Sequence, residues 1–210
     1  MQVERERVVN KFSSDAAAVV LILALAAGLS SAQEPAETVE SALTESRVLV
    51  KRFADELQTA LINAMAEGGP QRAITVCKDI APEIASRLSR ESGAAVGRTS
   101  LRLRNPQNLP REWQEPVLQD FDAKAAAGSE ALALDHFSAA DNSNGARYMK
   151  AIPTGGLCLA CHGTELAPEV RELLNTQYPH DRATGYTTGE VRGAFSVVWP
   201  REEDVKAISE

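Results

Sequence analysis

The sequence predicts an α+β domain, and three observations carry that prediction. Apolar residues recur at three- and four-residue spacing through the first part of the chain. After Gly93 the spacing changes to strict alternation, and further on short apolar runs are separated by turn-forming residues. Helices first, then an antiparallel sheet with one helix and one ligand-bearing loop inserted, is an α+β arrangement.

Taken in order, residues 1–32 begin with Arg5, Arg7 and Lys11, continue with an apolar run over 16–27 and end in Ser30-Ser31-Ala32. That pattern reads as a secretory signal cut after Ala32. The run is shorter than the ~20 residues of a spanning helix. Glu4 and Glu6 dilute the basic start, which keeps an uncleaved anchor as the alternative. Residues 33–37 read as a short polar tether and 38–210 as the folded domain.

Within that domain, Val39, Leu43, Val50, Phe53, Leu57, Leu61 and Ala64 lie on one face of a long amphipathic helix, ended by Gly68-Gly69-Pro70. A helix of that length suits pairing with a second copy, or covering its own core. Pro70 fits a first helical position, and Ile74, Cys77, Ala81, Ile84 and Leu88 form the next apolar face. Pro82 interrupts it, so a kink or restart is expected one turn after Cys77. Arg98, Ser100, Arg102 and Arg104 then alternate with Thr99, Leu101 and Leu103, predicting a strand that Asn105-Pro106-Gln107-Asn108 ends. A helix over about 112–126, strands near 131–139, 147–152 and 194–199, and a helix over 168–176 complete the expectation.

The formal net charge over 210 residues is −7, and the three basic and three acidic side chains of 1–32 cancel, so cleavage leaves it unchanged. An acidic chain without a basic cluster argues against nucleic acid as a partner. Apolar residues make up 44% of the chain, enough for a core and the apolar face of a bound group.

The chemistry concentrates in Cys158-Leu159-Ala160-Cys161-His162, placed by Pro153, Gly155, Gly156 and Gly163 in a loop. Two thiols three apart followed by an imidazole can form thioethers to the two haem vinyls while the histidine ligates iron. A zinc site would want a second ligand pair, and the only other cysteine is Cys77. A thiol-exchange centre would be expected between the strand and helix of a βαβ unit. The motif therefore predicts one covalent haem c on Cys158 and Cys161 with His162 as an axial ligand. An α+β chain around such a group differs from the all-helical form of most small cytochromes, and haem attachment of this type implies export to the periplasm.

Cys77 is left over. Its position on an apolar helix face suits a small core residue, and its thiolate equally suits the second axial position. Met65, Met149, His136 and His180 are the competitors. A thiolate stabilises ferric iron and predicts a low potential; methionine predicts a high one.

These residues resemble a known family, the single-haem, PAS-like c-type cytochrome domains that carry a domain-of-unknown-function label, found alone after a signal peptide or as sensor modules. The matching stretches run from Arg98 to Pro106, through Cys158-Leu159-Ala160-Cys161-His162-Gly163, through Tyr178-Pro179-His180-Asp181-Arg182-Ala183-Thr184-Gly185-Tyr186, and on to Arg192-Gly193-Ala194-Phe195-Ser196-Val197. The resemblance implies a PAS-like antiparallel sheet whose helices flank a covalently bound haem. It also implies that Cys77, in Val76-Cys77-Lys78-Asp79-Ile80-Ala81-Pro82, is the ligand opposite His162. Glu190 departs from the family pattern, where aspartate is expected.

Arg98, Arg102 and Arg104 share a strand face, and Arg192 precedes Gly193, so these guanidinia are candidates for haem propionates or else form structural salt bridges. Tyr178, Asp181 and Tyr186 are candidates for ordering the loop after the haem motif. The expected function is a periplasmic redox or small-gas sensor with a His/Cys-ligated haem, passing its signal to a separate redox or signalling partner because no output segment follows Trp199. The alternative is a single-haem electron-transfer cytochrome. An enzyme is not expected, since no acid–base pair is assignable beside the iron.

Overall fold

In a computed structural model the chain is described over residues 34–141 and 144–201. The signal sequence expected over 1–32 lies outside those residues. Helix α1 (Glu34–Thr75) begins inside the segment read as a tether, so residues 34–37 are helical. It breaks where the sequence predicts: Gly68 and Gly69 leave helical geometry, Gly69 with φ of 64°, which glycine adopts without a Cβ clash. Pro70 then follows and helical geometry resumes.

A π-helical turn (Val76–Ile80) separates α1 from α2 (Ala81–Ser92). The Ala81 N–H reaches back to the Val76 carbonyl, five residues away. Cys77 sits inside this turn, and helix α2 restarts at Ala81 with Pro82 in its first turn, where its missing N–H costs no bond. Gly93, at φ 76°, caps α2.

Four strands form one antiparallel sheet in the order β1-β4-β3-β2: β1 (Ala95–Thr99), β2 (Asp135–Ser138), β3 (Arg147–Pro153) and β4 (Val191–Val198). Strand β1 is shorter than its alternation predicts. Ser100 Oγ accepts from the Arg102 N–H at 3.2 Å and donates to the Arg192 carbonyl at 2.9 Å, so the chain turns after Thr99. The 131–139 segment likewise opens with a 3₁₀ turn (Ala131–Ala133) and only then becomes β2. Between β3 and β4 the register shifts at Ile152/Pro153, where proline has no N–H for the ladder.

Side-chain alternation gives the sheet two unlike faces. Tyr148, Phe195, Val96 and Val197 pack against Phe53, Leu49 and Val50 of α1 and against Ile84 and Leu88 of α2. Full burial of a side chain such as Phe53 contributes about 1.5–3 kcal/mol. Met149, Ala151 and Ala194 face the opposite way, onto Val117, Leu118 and Phe121 of helix α3 (Gln114–Ala126). Two further helices, α4 (Gly156–His162) and α5 (Pro168–Gln177), connect β3 to β4. The architecture is the α+β one with a long N-terminal helix that the sequence predicts.

Candidate functional site

The Cys-x-x-Cys-His motif is helical, not the loop its glycines suggest. It occupies α4, where Cys158 and Cys161 are three residues apart and so on one helix face. The chain leaves the helix at Gly163, where only glycine fits, because a Cβ there would lie 2.6 Å from the Leu159 carbonyl oxygen.

Cys158, Cys161 and His162 open onto a cavity of about 930 Å³, enclosed by α1, the π turn and the Tyr148/Phe195 face of the sheet. That volume lies at the upper end of the ~300–1,000 Å³ typical of ligand sites. Cys77 reaches the same cavity from the π turn, so a residue on the first helical segment and a motif far along the chain converge. All three thiols are free. Burial raises the Cys161 thiol above its usual range, with Arg104 opposing.

The imidazole of His162 is held on several sides. Its Nδ1 lies 2.5 Å from the Ala183 carbonyl, which can only accept, so Nδ1 carries the proton and Nε2 the lone pair. Its own carbonyl accepts from the Tyr186 N–H at 2.9 Å, and the Tyr186 ring meets it edge-on, centroids 6.3 Å apart. Burial, then the charges of Arg192 and Arg104, hold its pKa well below the ordinary histidine value. A neutral, oriented imidazole with Nδ1–H on a backbone carbonyl is the state in which histidine ligates metals. No side-chain signal points to Ala183, because its contribution is a main-chain oxygen.

The arginines divide. Arg104 is buried and meets Asp181 at 2.9 Å, and it also donates to the carbonyls of Cys161 at 2.5 Å and Ala183 at 3.3 Å. It is a structural ion pair that ties α4 to the 181–186 segment. Arg98 and Arg192 line the cavity with no carboxylate within ion-pair distance among the described residues. Arg98 lies over the Phe53 ring at 5.7 Å, and Arg192 brings Nε to 3.1 Å from His162 Nδ1 and 3.4 Å from its Nε2, and Nη1 to 3.4 Å from Ser100 Oγ. Burial lowers both guanidinium pKa values. Arg102 is not with them: the turn after Thr99 carries it away from this cavity, onto the Tyr186 ring at 3.9 Å.

Of the competitors of Cys77, only Met65 lines the cavity. Met149 is fully buried on the α3 face of the sheet, turned away by strand alternation. His136 and His180 are exposed and lie outside the cavity. Tyr178 does line it, its phenol pushed up to about 12 by burial and next by the nearby Cys77 charge.

The donor set fits a haem c: two thiols on one helix face, a neutral imidazole beside them, a third thiol on the same cavity and two uncompensated guanidinia for carboxylates. No curated protein matches the chain. Among solved structures it is similar to one titled "Crystal structure of the cyanobacterial heme-protein Tll0287", at 26% identity and a TM-score of 0.57, covering 75% of this chain and 96% of that one. The family described as Tll0287-like matches residues 24–200, which include Cys77, Cys158, Cys161 and His162, and the chain belongs to that family.

Proposed function

We propose that this protein binds haem, carries it as a single haem c on Cys158 and Cys161, and uses it as a redox or small-gas sensor in the periplasm. The observation that carries the reading is the meeting of Cys77 with Cys158, Cys161 and His162 on one cavity. The similarity to a cyanobacterial haem protein supports the haem itself.

Bound haem supplies an iron centre that cycles by one electron. Around it the chain does the rest. His162, kept in orientation by Ala183 and Tyr186, would hold the iron through Nε2. Cys77 in the π turn would hold it as thiolate, a charge that favours ferric iron. Arg98 and Arg192 would hold the propionates, since the arginine fork suits a carboxylate. Reduction by an external redox partner would weaken the hold of the Cys77 thiolate, which would take up a proton from water on release, and a small gas would then compete with it. The nearby backbone that responds is the π turn, an irregular element of the kind often found at functional sites.

One observation favours the alternative, electron transfer to a docked partner. Leu132 and Leu157, at 65% and 39% exposure, stand on the cavity margin as an apolar rim. Neither reading calls on an enzymatic step.

The test is the midpoint potential of the mature holoprotein beside its Cys77→Ser variant, together with carbon monoxide binding to the ferrous form. A low wild-type potential that rises sharply in the variant, with gas binding only after reduction, supports sensing through Cys77. Equal potentials would overturn thiolate ligation and make Met65 the ligand to test. A ferrous protein that keeps both ligands and binds no gas would leave the electron carrier.

A further inference from the structure

His162 owes its orientation to main-chain groups of one short segment. The Ala183 carbonyl accepts from Nδ1, the Tyr186 N–H donates to the His162 carbonyl at 2.9 Å, and the Gly185 N–H donates to the Gly163 carbonyl at 2.8 Å. Apart from the bridge between Gly163 and Tyr186, residues 181–186 belong to no helix or strand. With no ladder of its own to fix it, the segment stands where its neighbours hold it, and the imidazole follows.

The hold comes from Arg102, Leu103 and Arg104. The Leu103 carbonyl accepts from the Arg182 N–H at 2.7 Å, and Arg104 grips the first half of the segment through Asp181 and the Ala183 carbonyl. Arg102 grips the second half. Its guanidinium lies 3.9 Å over the Tyr186 ring, well inside the reach of about 6 Å for a cation on an aromatic face. It also packs against Gly185, where a Cβ would lie 3.2 Å from Nη2. The ring it covers is buried and meets the His162 imidazole at an interplanar angle of 79°. Arg102 reaches this ring from outside the haem cavity, which it does not line.

We propose that Arg102 is a positioning residue for the axial histidine: its guanidinium, stacked on Tyr186, fixes the 185–186 end of the segment that orients His162. The inference rests on the haem reading above. Arginine suits the task because a planar guanidinium stacks on a ring face, whereas the compact ammonium of lysine brings the same charge without the plane. A field acting through space needs only the charge; positioning needs the stack.

The experiment compares Arg102→Met and Arg102→Lys with the parent holoprotein, reading hydrogen exchange at the Gly185 and Tyr186 amides and the electron paramagnetic resonance of the ferric haem. Arg102→Met should speed exchange at both amides tenfold or more and shift or broaden the parent's low-spin ferric signal. Exchange at Val197, in the core of the sheet, should stay at the parent rate. Arg102→Lys should resemble Arg102→Met in both readouts. Unchanged exchange at Gly185 and Tyr186, faster exchange with the parent's ferric signal intact, or equal acceleration at Val197 would overturn the proposal. Full restoration of the ferric signal by Arg102→Lys would overturn it as well, because the charge alone would then suffice. A parent protein whose ferric spectrum shows no imidazole ligand would remove the haem reading and this inference with it, and that result precedes either variant.

Discussion

Two stretches of wall in the larger cavity carry arginine under opposite conditions. Beneath α4, Arg104 is matched by Asp181 and by two carbonyls, so every charge there has its answer within the chain. Across the sheet face, Arg98 and Arg192 are half-buried and have no carboxylate within ion-pair distance among the described residues. Desolvating a guanidinium is costly unless it is paired. The matched arginine holds the fold; the unmatched ones are a cost that only a bound anion offsets, and haem brings two carboxylates.

The largest expected effect tests the matched wall. Arg104→Ala strands Asp181, whose side chain is 9% exposed, and should cost about 3–5 kcal/mol of stability in denaturant unfolding of the haem-free chain. Asp181→Ala in the same background should restore part of the loss, because the buried charge is gone. A single-variant cost under about 1 kcal/mol would break the comparison.

Next in size is a substitution on the face of the sheet turned away from the cavity. Met149→Ala removes a fully buried side chain from the α3 core and should cost about 2–5 kcal/mol. The holoprotein should nonetheless keep its absorption spectrum and potential. A changed axial spectrum would show that the two faces are not separable.

A smaller effect comes from Tyr148, at the far end of the cavity. Its hydroxyl donates to Asp135 at 3.1 Å, a carboxylate that Arg47 also meets at 3.3 Å. Tyr148→Phe should cost about 1 kcal/mol near neutrality. Burial first, and the Asp135 charge next, push this phenol up to about 12 from 10.0. The unfolded chain therefore loses the proton first, so this contribution is level below pH 10 and is lost as pH rises from 10 towards 12. Unfolding curves across that window should fall less steeply for the phenylalanine variant, and parallel curves would refute the assignment.

Much of this arrangement is legible in the sequence where local chemistry decides. The Gly68-Gly69-Pro70 break, the helix before Gly128 and the pairing strands follow from backbone constraints and periodicity. The motif's helix is not legible, because Pro153, Gly155 and Gly156 read as loop although Gly156 opens the seven-residue helix that carries the motif. Arg102 is misplaced by the same kind of inference. Alternation puts it on the Arg98 face, but the Ser100 hydroxyl makes a turn that alternation cannot show. The Arg104–Asp181 pair joins residues remote in sequence, so periodicity carries no trace of it. Spacing alone leaves Cys77 open between core residue and ligand, with Met65, Met149, His136 and His180 as competitors; the cavity keeps Met65 beside it, and the potential of the Cys77 variant decides.

The smallest expected effect on the haem-free chain is the most informative for the unmatched wall. Arg98→Met and Arg192→Met keep an apolar stem against the cavity and strand no carboxylate, Arg192→Met releasing only neutral contacts to His162 and Ser100, so each should lie within about 1 kcal/mol of the parent chain, or above it. With haem loaded the sign should reverse. Each variant then loses charge-assisted bonds worth about 1.5–3 kcal/mol apiece, and the gap between holo and haem-free stability should narrow by that order. Removing a positive charge beside the iron also disfavours the reduced state, so both midpoint potentials should fall. If either methionine variant of the haem-free chain is as damaged as Arg104→Ala, then that arginine is answered from within the chain, and the distinction between the two walls is lost.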